Sequence, residues 1–214
     1  VDPFDPEDDE RVLRRLRDGA IDVLATEGYF SPAIVVELDD EGRSRYVLRV
    51  DLGVRTRVTA VDIVLSGPIE QQPQRIKELA AGWELAVGQP FRDPAWSTAK
   101  SRLLARVQER DFAAARLVES SADIDADEAS ARLRIVIDSG PAFTLGELEI
   151  VEEEGKGLKR YDRDLVERFN EIRPGDRYDA TRLLDLQRRL QSAPYFSTVL
   201  VEVPIDPARP DNVP

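Results

Sequence analysis

From Val58 to Leu65 apolar and polar side chains alternate, with Val61, Ile63 and Leu65 on one face, and this two-residue period predicts a β-strand. Gly67-Pro68 breaks the strand, and a short helix is predicted over 73–81. Asp93-Pro94 then supplies a helix N-cap followed by proline in the first turn. The helix it opens runs to about Glu109, with Ala99, Leu103 and Val107 spaced for a buried stripe. A weak strand pattern over 116–124, a turn at Asp125–Asp127 and a clear strand at Leu133–Ile137 complete the order β-α-α-β-β. The fold class expected is α+β.

Parts of this pattern recur. Val50-Asp51-Leu52-Gly53 corresponds to Ile137-Asp138-Ser139-Gly140, Val61-Asp62-Ile63 to Leu148-Glu149-Ile150, and Gly88-Gln89-Pro90-Phe91 to Gly175-Asp176-Arg177-Tyr178, each pair 87 positions apart. Three matches at one offset mark an internal repeat. A further series, Gly28-Tyr29-Phe30, Asp111-Phe112 and Pro194-Tyr195-Phe196, closes a helical pattern and opens an extended one each time.

The flanking copies are shorter than the middle one. Asp5-Pro6 caps a helix running through Glu27, with Gly28 as a left-handed C-cap, and strands at 33–38 and 45–52 follow, joined by a turn at Asp39–Gly42. This first copy lacks an opening strand and helix. The last copy has a strand over 144–151, helices near 162–171 and 179–192 and a strand over 197–203, but no closing strand. The expected divisions are 1–55, 56–141 and 142–206, with a tail over 207–214 that belongs to no element.

Composition narrows the function. Of 214 residues, 42% are hydrophobic and 34% charged, which suits a globular chain. No apolar run approaches the length of a membrane-spanning helix, and no signal peptide opens the chain. Methionine is absent even at position 1, so the sequence reads as a piece of something longer. A net charge of −12 argues against nucleic acid as a partner. With no cysteine, disulfides and thiolate sites are excluded; with no histidine, the commonest general base and metal ligand is missing.

Sharper chemistry finds little support. Asp123-Ile124-Asp125-Ala126-Asp127 begins like a calcium loop, but Glu128 and Arg134 stand where glycine and glutamate are required, so a hairpin turn is expected. Gly155-Lys156-Gly157 lacks the opening glycine and the hydroxyl residue of a phosphate loop. Asp39-Asp40 sits in an expected exposed turn, a poor place for a pair of glycosidase carboxylates. The five repeat glycines, Gly28, Gly53, Gly88, Gly140 and Gly175, are expected to serve backbone geometry. Tyr29, Phe30, Phe91, Phe112, Tyr178, Tyr195 and Phe196 are expected in core or junction packing, and one of Trp83 and Trp96 at the surface. No catalytic residue, metal site or cofactor is expected.

A repeated β-α-α-β-β unit with Gly28-Tyr29-Phe30 after a helix resembles the POTRA (polypeptide-transport-associated) domain, the periplasmic module of the outer-membrane assembly superfamily that includes BamA and TamA. Val50-Asp51-Leu52-Gly53 leading into 58–67 is similar to that family's link between modules. Gly28-Tyr29-Phe30-Ser31-Pro32 and Asp62-Ile63-Val64-Leu65-Ser66-Gly67 most resemble the TamA branch. Pro174-Gly175-Asp176-Arg177-Tyr178, followed by Arg188-Arg189-Leu190 and Tyr195-Phe196, resembles the family's last module.

The resemblance implies tandem POTRA modules, each a three-stranded sheet covered by two helices, held in the periplasm by a C-terminal β-barrel that this chain does not include. It implies help in inserting outer-membrane proteins such as autotransporters. The partners implied are unfolded outer-membrane protein clients, the barrel itself and a TamB-like protein anchored in the inner membrane. A small open sheet leaves unpaired edges that can accept an extended peptide. In the family the binding edge follows the second helix. The corresponding residues here are Ala33, Ile34, Val35, Val36, Glu37 and Leu38 in the first module, and Thr198, Val199, Leu200, Val201, Glu202 and Val203 in the third. A POTRA array of another transporter, for two-partner secretion or division, and a carboxylate-based enzyme acting on sugars are the alternatives.

Overall fold

A computed structural model describes residues 6–38, 46–150, 163–193, 198–211 and 213–214. The expected turn at Asp39–Gly42, the phosphate-loop-like stretch and Tyr195-Phe196 lie outside them. The elements are α1 (Pro6–Thr26), β1 (Ala33–Leu38), β2 (Tyr46–Asp51), β3 (Arg57–Ser66), a 3-10 turn (Pro68–Gln71), α2 (Pro73–Ala81), α3 (Asp93–Gln108), β4 (Arg116–Asp125), β5 (Ser130–Asp138), α4 (Arg163–Glu167) and α5 (Ala180–Ser192). β1 and β2 form a two-stranded antiparallel sheet, and a second sheet has the order β3-β5-β4. The class is α+β.

The middle copy matches the expected order closely. On β5, Ala131, Leu133, Ile135 and Ile137 are buried and alternate with exposed Arg132 and Arg134, while Ala99, Leu103 and Val107 form the buried stripe of α3. One cap differs from expectation. The Trp96 amide donates to the Arg92 carbonyl at 2.9 Å, so Arg92 caps α3 and Asp93 lies within its first turn. There its charge opposes the positive end of the helix dipole.

The chain divides into two compact units, one of 1–63, 83–101 and 120–135, the other of 64–82, 102–119 and 136–214. The division passes through β3, β4, β5 and α3. In the first unit α1 ends as expected. Gly28, at φ 91°, donates to the Ala25 carbonyl (3.0 Å) and Tyr29 to that of Leu24 (3.0 Å), which is a Schellman cap. The Thr56 amide then donates to Gly28 (2.8 Å), Phe91 to Thr56 (2.9 Å), Val58 to Gln89 (2.9 Å) and Gly88 to Val58 (2.7 Å).

The second unit repeats the last four of these bonds. Phe143 donates to Asp111 (2.7 Å), Tyr178 to Phe143 (3.0 Å), Leu145 to Asp176 (2.7 Å) and Gly175 to Leu145 (2.7 Å). Even the links agree, for the Gly53 amide donates to Asp51 Oδ1 and the Gly140 amide to Asp138 Oδ1, both at 3.1 Å. The offset of 87 positions seen in the sequence therefore also separates equivalent hydrogen bonds, except at Gly28 and Asp111, which the loops set 83 apart. All five repeat glycines have positive φ, as a backbone role requires.

The last copy departs from expectation at both of its strands. Among the described residues of the expected strand 144–151 only Thr144 and Leu145 make β-bridges, and 198–203 is not a strand. One cause explains both. In the middle sheet the last strand, β5, lies at the centre and pairs with each flank. Among the described residues of the last copy the tail bonds the first flank, where the Thr144 amide donates to the Pro210 carbonyl (3.0 Å) and Val213 follows. Val213 makes a parallel bridge to Leu145, its amide donating to Thr144 (2.9 Å) and its carbonyl accepting from Gly146 (2.7 Å). The tail, expected to belong to no element, thus folds back, and Val213 is buried.

A substitution separates the two demands placed on the repeat glycines. A Cβ at Gly28 would lie 2.2 Å from the Phe91 carbonyl oxygen, whereas one at Gly88, at φ 89°, meets nothing within 4 Å. Gly88→Ala is expected to cost about 1 kcal/mol from backbone strain alone, and Gly28→Ala about 3 kcal/mol or more because a clash is added. Urea unfolding of the two variants checks the order.

Candidate polypeptide-binding edges and the junctions beside them

The first expected edge is a regular strand. β1 pairs with β2 from Ala33↔Asp51 to Leu38↔Tyr46, and no second neighbour pairs with it among the described residues. Ile34 and Val36 are half-buried, while Ala33 and Val35 are exposed, Val35 by 52%. The stretch Ala33-Ile34-Val35-Val36 thus presents an apolar residue on both faces of the strand. The backbone of Glu37 and Leu38 continues the same ladder. The outer side of β2, which sequence reasoning passed over, is also unpaired among the described residues, and Val47, Leu48 and Val50 are exposed on it.

The second expected edge keeps the alternation but not the ladder. Val199 and Val201 pack against the cluster of Val166, Leu186 and Leu190, while Thr198, Leu200 and Glu202 face outward, Leu200 with 69% exposure. Val203 is again half-buried. Two glutamines of α5 hold this segment in place of a strand. Gln191 Nε2 donates to the Val199 carbonyl (2.9 Å), and the Val201 amide donates to Gln187 Oε1 (3.1 Å).

The junctions share their backbone bonds but differ in their side chains. In the first unit Glu27 takes two bonds from Arg92, at 2.8 and 2.9 Å, and another from Arg55 at 3.4 Å. Arg55 also lies over the Tyr29 ring at 5.4 Å, and Phe30 packs on Phe91 at 5.9 Å. The bond to Arg92 holds the Glu27 carboxyl below the ordinary glutamate range.

In the second unit Asp111 occupies the place of Gly28. It is a non-glycine residue at φ 61° and is only 8% exposed. Its carboxylate accepts from Gln72 Nε2 (3.1 Å) and Arg75 Nη1 (3.2 Å), with Arg177 at 3.7 Å. Arg75 in turn donates to the carbonyls of Val107 (3.0 Å) and Arg110 (2.7 Å) and stacks on Phe112 at 5.3 Å. Burial of the guanidinium lowers the Arg75 pKa. This cluster was missed in the sequence, although an acid standing where its sister position has glycine was a usable signal.

Other expectations find their places. Phe91 and Phe112 are buried, and Tyr29, Phe30 and Tyr178 half-buried, in core or junction packing. Neither tryptophan is at the surface as expected: Trp96 is buried and Trp83 half-buried, their rings edge-on at 6.0 Å. The calcium-like stretch is a hairpin turn, with Asp125 Oδ1 accepting from the amides of Asp127 (3.1 Å) and Glu128 (3.0 Å). Among the described residues no helix is long and apolar enough to cross a membrane.

No family model matches the chain. Among solved structures it is similar to POTRA domains 3–5 of Haemophilus influenzae BamA, with a TM-score of 0.54 and 19% identity over 100% of this chain and 80% of that one. It is also similar to Haemophilus ducreyi BamA lacking POTRA domains 1–3, with a TM-score of 0.57 and 14% identity over 73% of this chain and 28% of that one. At such identities the likeness concerns the fold, and the fold is that of POTRA domains.

Two outcomes test the junction chemistry. Asp111→Gly frees the left-handed backbone but strands Arg75, whereas Asp111→Ala keeps the strain and strands it too, so Ala is expected to destabilise by about 1 kcal/mol more than Gly in urea melts. Glu27 has a lowered pKa in the fold, so its contribution is present above the unfolded value and lost as pH falls through the folded one. Melting temperature is therefore expected to drop below about pH 4, and Glu27→Gln to show less of that drop.

Proposed function

We propose that this chain is the periplasmic POTRA region of an outer-membrane protein assembly factor, and that it binds client or partner polypeptides by strand addition at Ala33–Leu38. The observation that carries this reading is the outer edge of β1: a regular strand, unpaired on one side among the described residues, with apolar Val35 exposed beside it. An incoming strand would gain backbone hydrogen bonds irrespective of its sequence, and the alternating side chains would favour barrel strands, which alternate in the same way. Of the two candidate edges we favour β1 because its ladder with β2 already holds its backbone straight. Thr198–Val203 lacks that support.

Binding rather than catalysis also suits the acids. The described carboxylates with displaced pKa, namely Glu27, Asp138, Glu171, Asp176 and Asp206, are all lowered by hydrogen bonds from arginines or backbone amides. A general acid of a glycosidase requires the opposite shift. The repeat of junction bonds supports a tandem array with divisions near 55 and 141. Within the superfamily, Gly28-Tyr29-Phe30-Ser31-Pro32 leading into β1 favours the TamA branch, and with it autotransporter clients and a TamB-like partner.

Titration of the isotope-labelled chain with a synthetic barrel-strand peptide of about ten residues, followed by amide chemical shifts, tests the reading. Shifts are expected along 33–38, and Val35→Asp is expected to weaken binding about tenfold, equivalent to one lost apolar side-chain contact. A peptide N-methylated on its bonding edge is expected not to bind. Shifts confined to other segments, or full binding by the methylated peptide, would refute strand addition at β1.

A further inference from the structure

Two unpaired strand edges of the first unit meet end to end. β4 closes at Asp125, and the Ser31 hydroxyl, just ahead of β1, donates to the carbonyl of the next residue, Ala126, at 3.5 Å. On the other side of the same hairpin turn, just ahead of β5, the Ala129 carbonyl accepts from the Arg57 amide at 2.9 Å, where the chain arriving from β2 enters β3. The link from β2 also passes close beside Ser31, since a Cβ on Gly53 would lie 3.1 Å from the Ser31 carbonyl oxygen. β1 therefore stands in line with β4, and β2 in line with β5. Because the paired neighbours lie on one side, the unpaired rows of β1 and β4 face the same way. The complete middle copy leaves its own edge, β4, open among the described residues, so the open edge is a property of the unit itself.

Both strands also run the same way along this line. β4 reaches the turn with its C-terminal end, and β1 leaves it with its N-terminal end. A single client chain therefore keeps one polarity against both ladders. Two strands meeting by their C-terminal ends would instead require it to be parallel to one and antiparallel to the other.

We infer that the outer edges of β1 and of β4 over 120–125 form one track that takes a single extended polypeptide of about sixteen residues. The side chains along the track define its chemistry. Beside β1 the client meets exposed Val35 between half-buried Ile34 and Val36. Beside β4 it meets exposed Ser121, Asp123 and Asp125, alternating with half-buried Ser120, Ala122 and Ile124. The fitting client is a strand that is apolar over one half and alternates apolar with basic residues over the other. Backbone bonds hold it, and the side chains decide which half lies on which strand. The inference rests on the reading of β1 as a peptide-binding edge and adds the length and the continuity of what binds there.

Three synthetic peptides titrated into the isotope-labelled full chain test it. They are the apolar half alone, of about eight residues, both halves joined, of about sixteen, and the joined peptide N-methylated throughout its basic half. The apolar half is expected to shift the amides of 33–38. The joined peptide is expected to bind one to one, to shift 33–38 and 120–125 in parallel, and to bind about tenfold tighter or more, since its second contact becomes intramolecular. The methylated peptide is expected to fall back to the affinity of the apolar half and to keep only the shifts at 33–38. If the apolar half leaves 33–38 unshifted, the reading of β1 fails and the track fails with it. If 33–38 shifts but the joined peptide gains no affinity, leaves 120–125 unshifted, binds two to one or ignores the methylation, β1 stands and the track is overturned.

Discussion

The sheet of this unit has its last strand at the centre, and every open or closed surface of the chain follows from that constraint. A flanking strand can satisfy its inner row of amides and carbonyls only if the strand that comes last in sequence is in place. Where β5 is present, β3 and β4 become strands of ten residues each. In the first copy the central strand β2 has only one flank among the described residues, and its other side stays open. In the last copy Val213 bridges Leu145, while Thr144 is bridged to Arg177.

The junctions show how a repeat can conserve geometry while changing chemistry. Four backbone bonds and one aspartate-to-amide bond recur between equivalent residues. Around them, the first junction is held by the surface carboxylate of Glu27 between two arginines, the second by the buried carboxylate of Asp111. Surface ion pairs in water contribute little and are screened by salt, whereas truncating one partner of a buried pair leaves a charge stranded. The two junctions are thus built alike and defended differently.

Much of the fold could be read from the residues because local pattern and tertiary structure agree there. β1, α2 and the buried stripe of α3 lie where periodicity placed them, and Asp179 caps α5 with bonds to the amides of Thr181 and Arg182. The expected strands at 144–151 and 197–203 show the limit of such reading. Their alternation reports which side faces the core, and Val199 and Val201 do face it. Alternation carries no information on whether a ladder partner exists. Asp111 escaped notice for a related reason: its importance comes from Gln72 and Arg75, more than thirty positions away, which no local pattern connects to it. The edge residues 33–38 were legible as a strand, while the exposed side of β2 was not, since only the pairing order reveals it.

The two glutamines of α5 have a consequence of their own. They grip the segment at Val199 and Val201 through side chains rather than through a strand ladder. Such a clip keeps Val199 and Val201 turned toward α5 at the entropic cost of only two side chains. The facing of this segment thus rests on the helix beneath it rather than on a neighbouring strand.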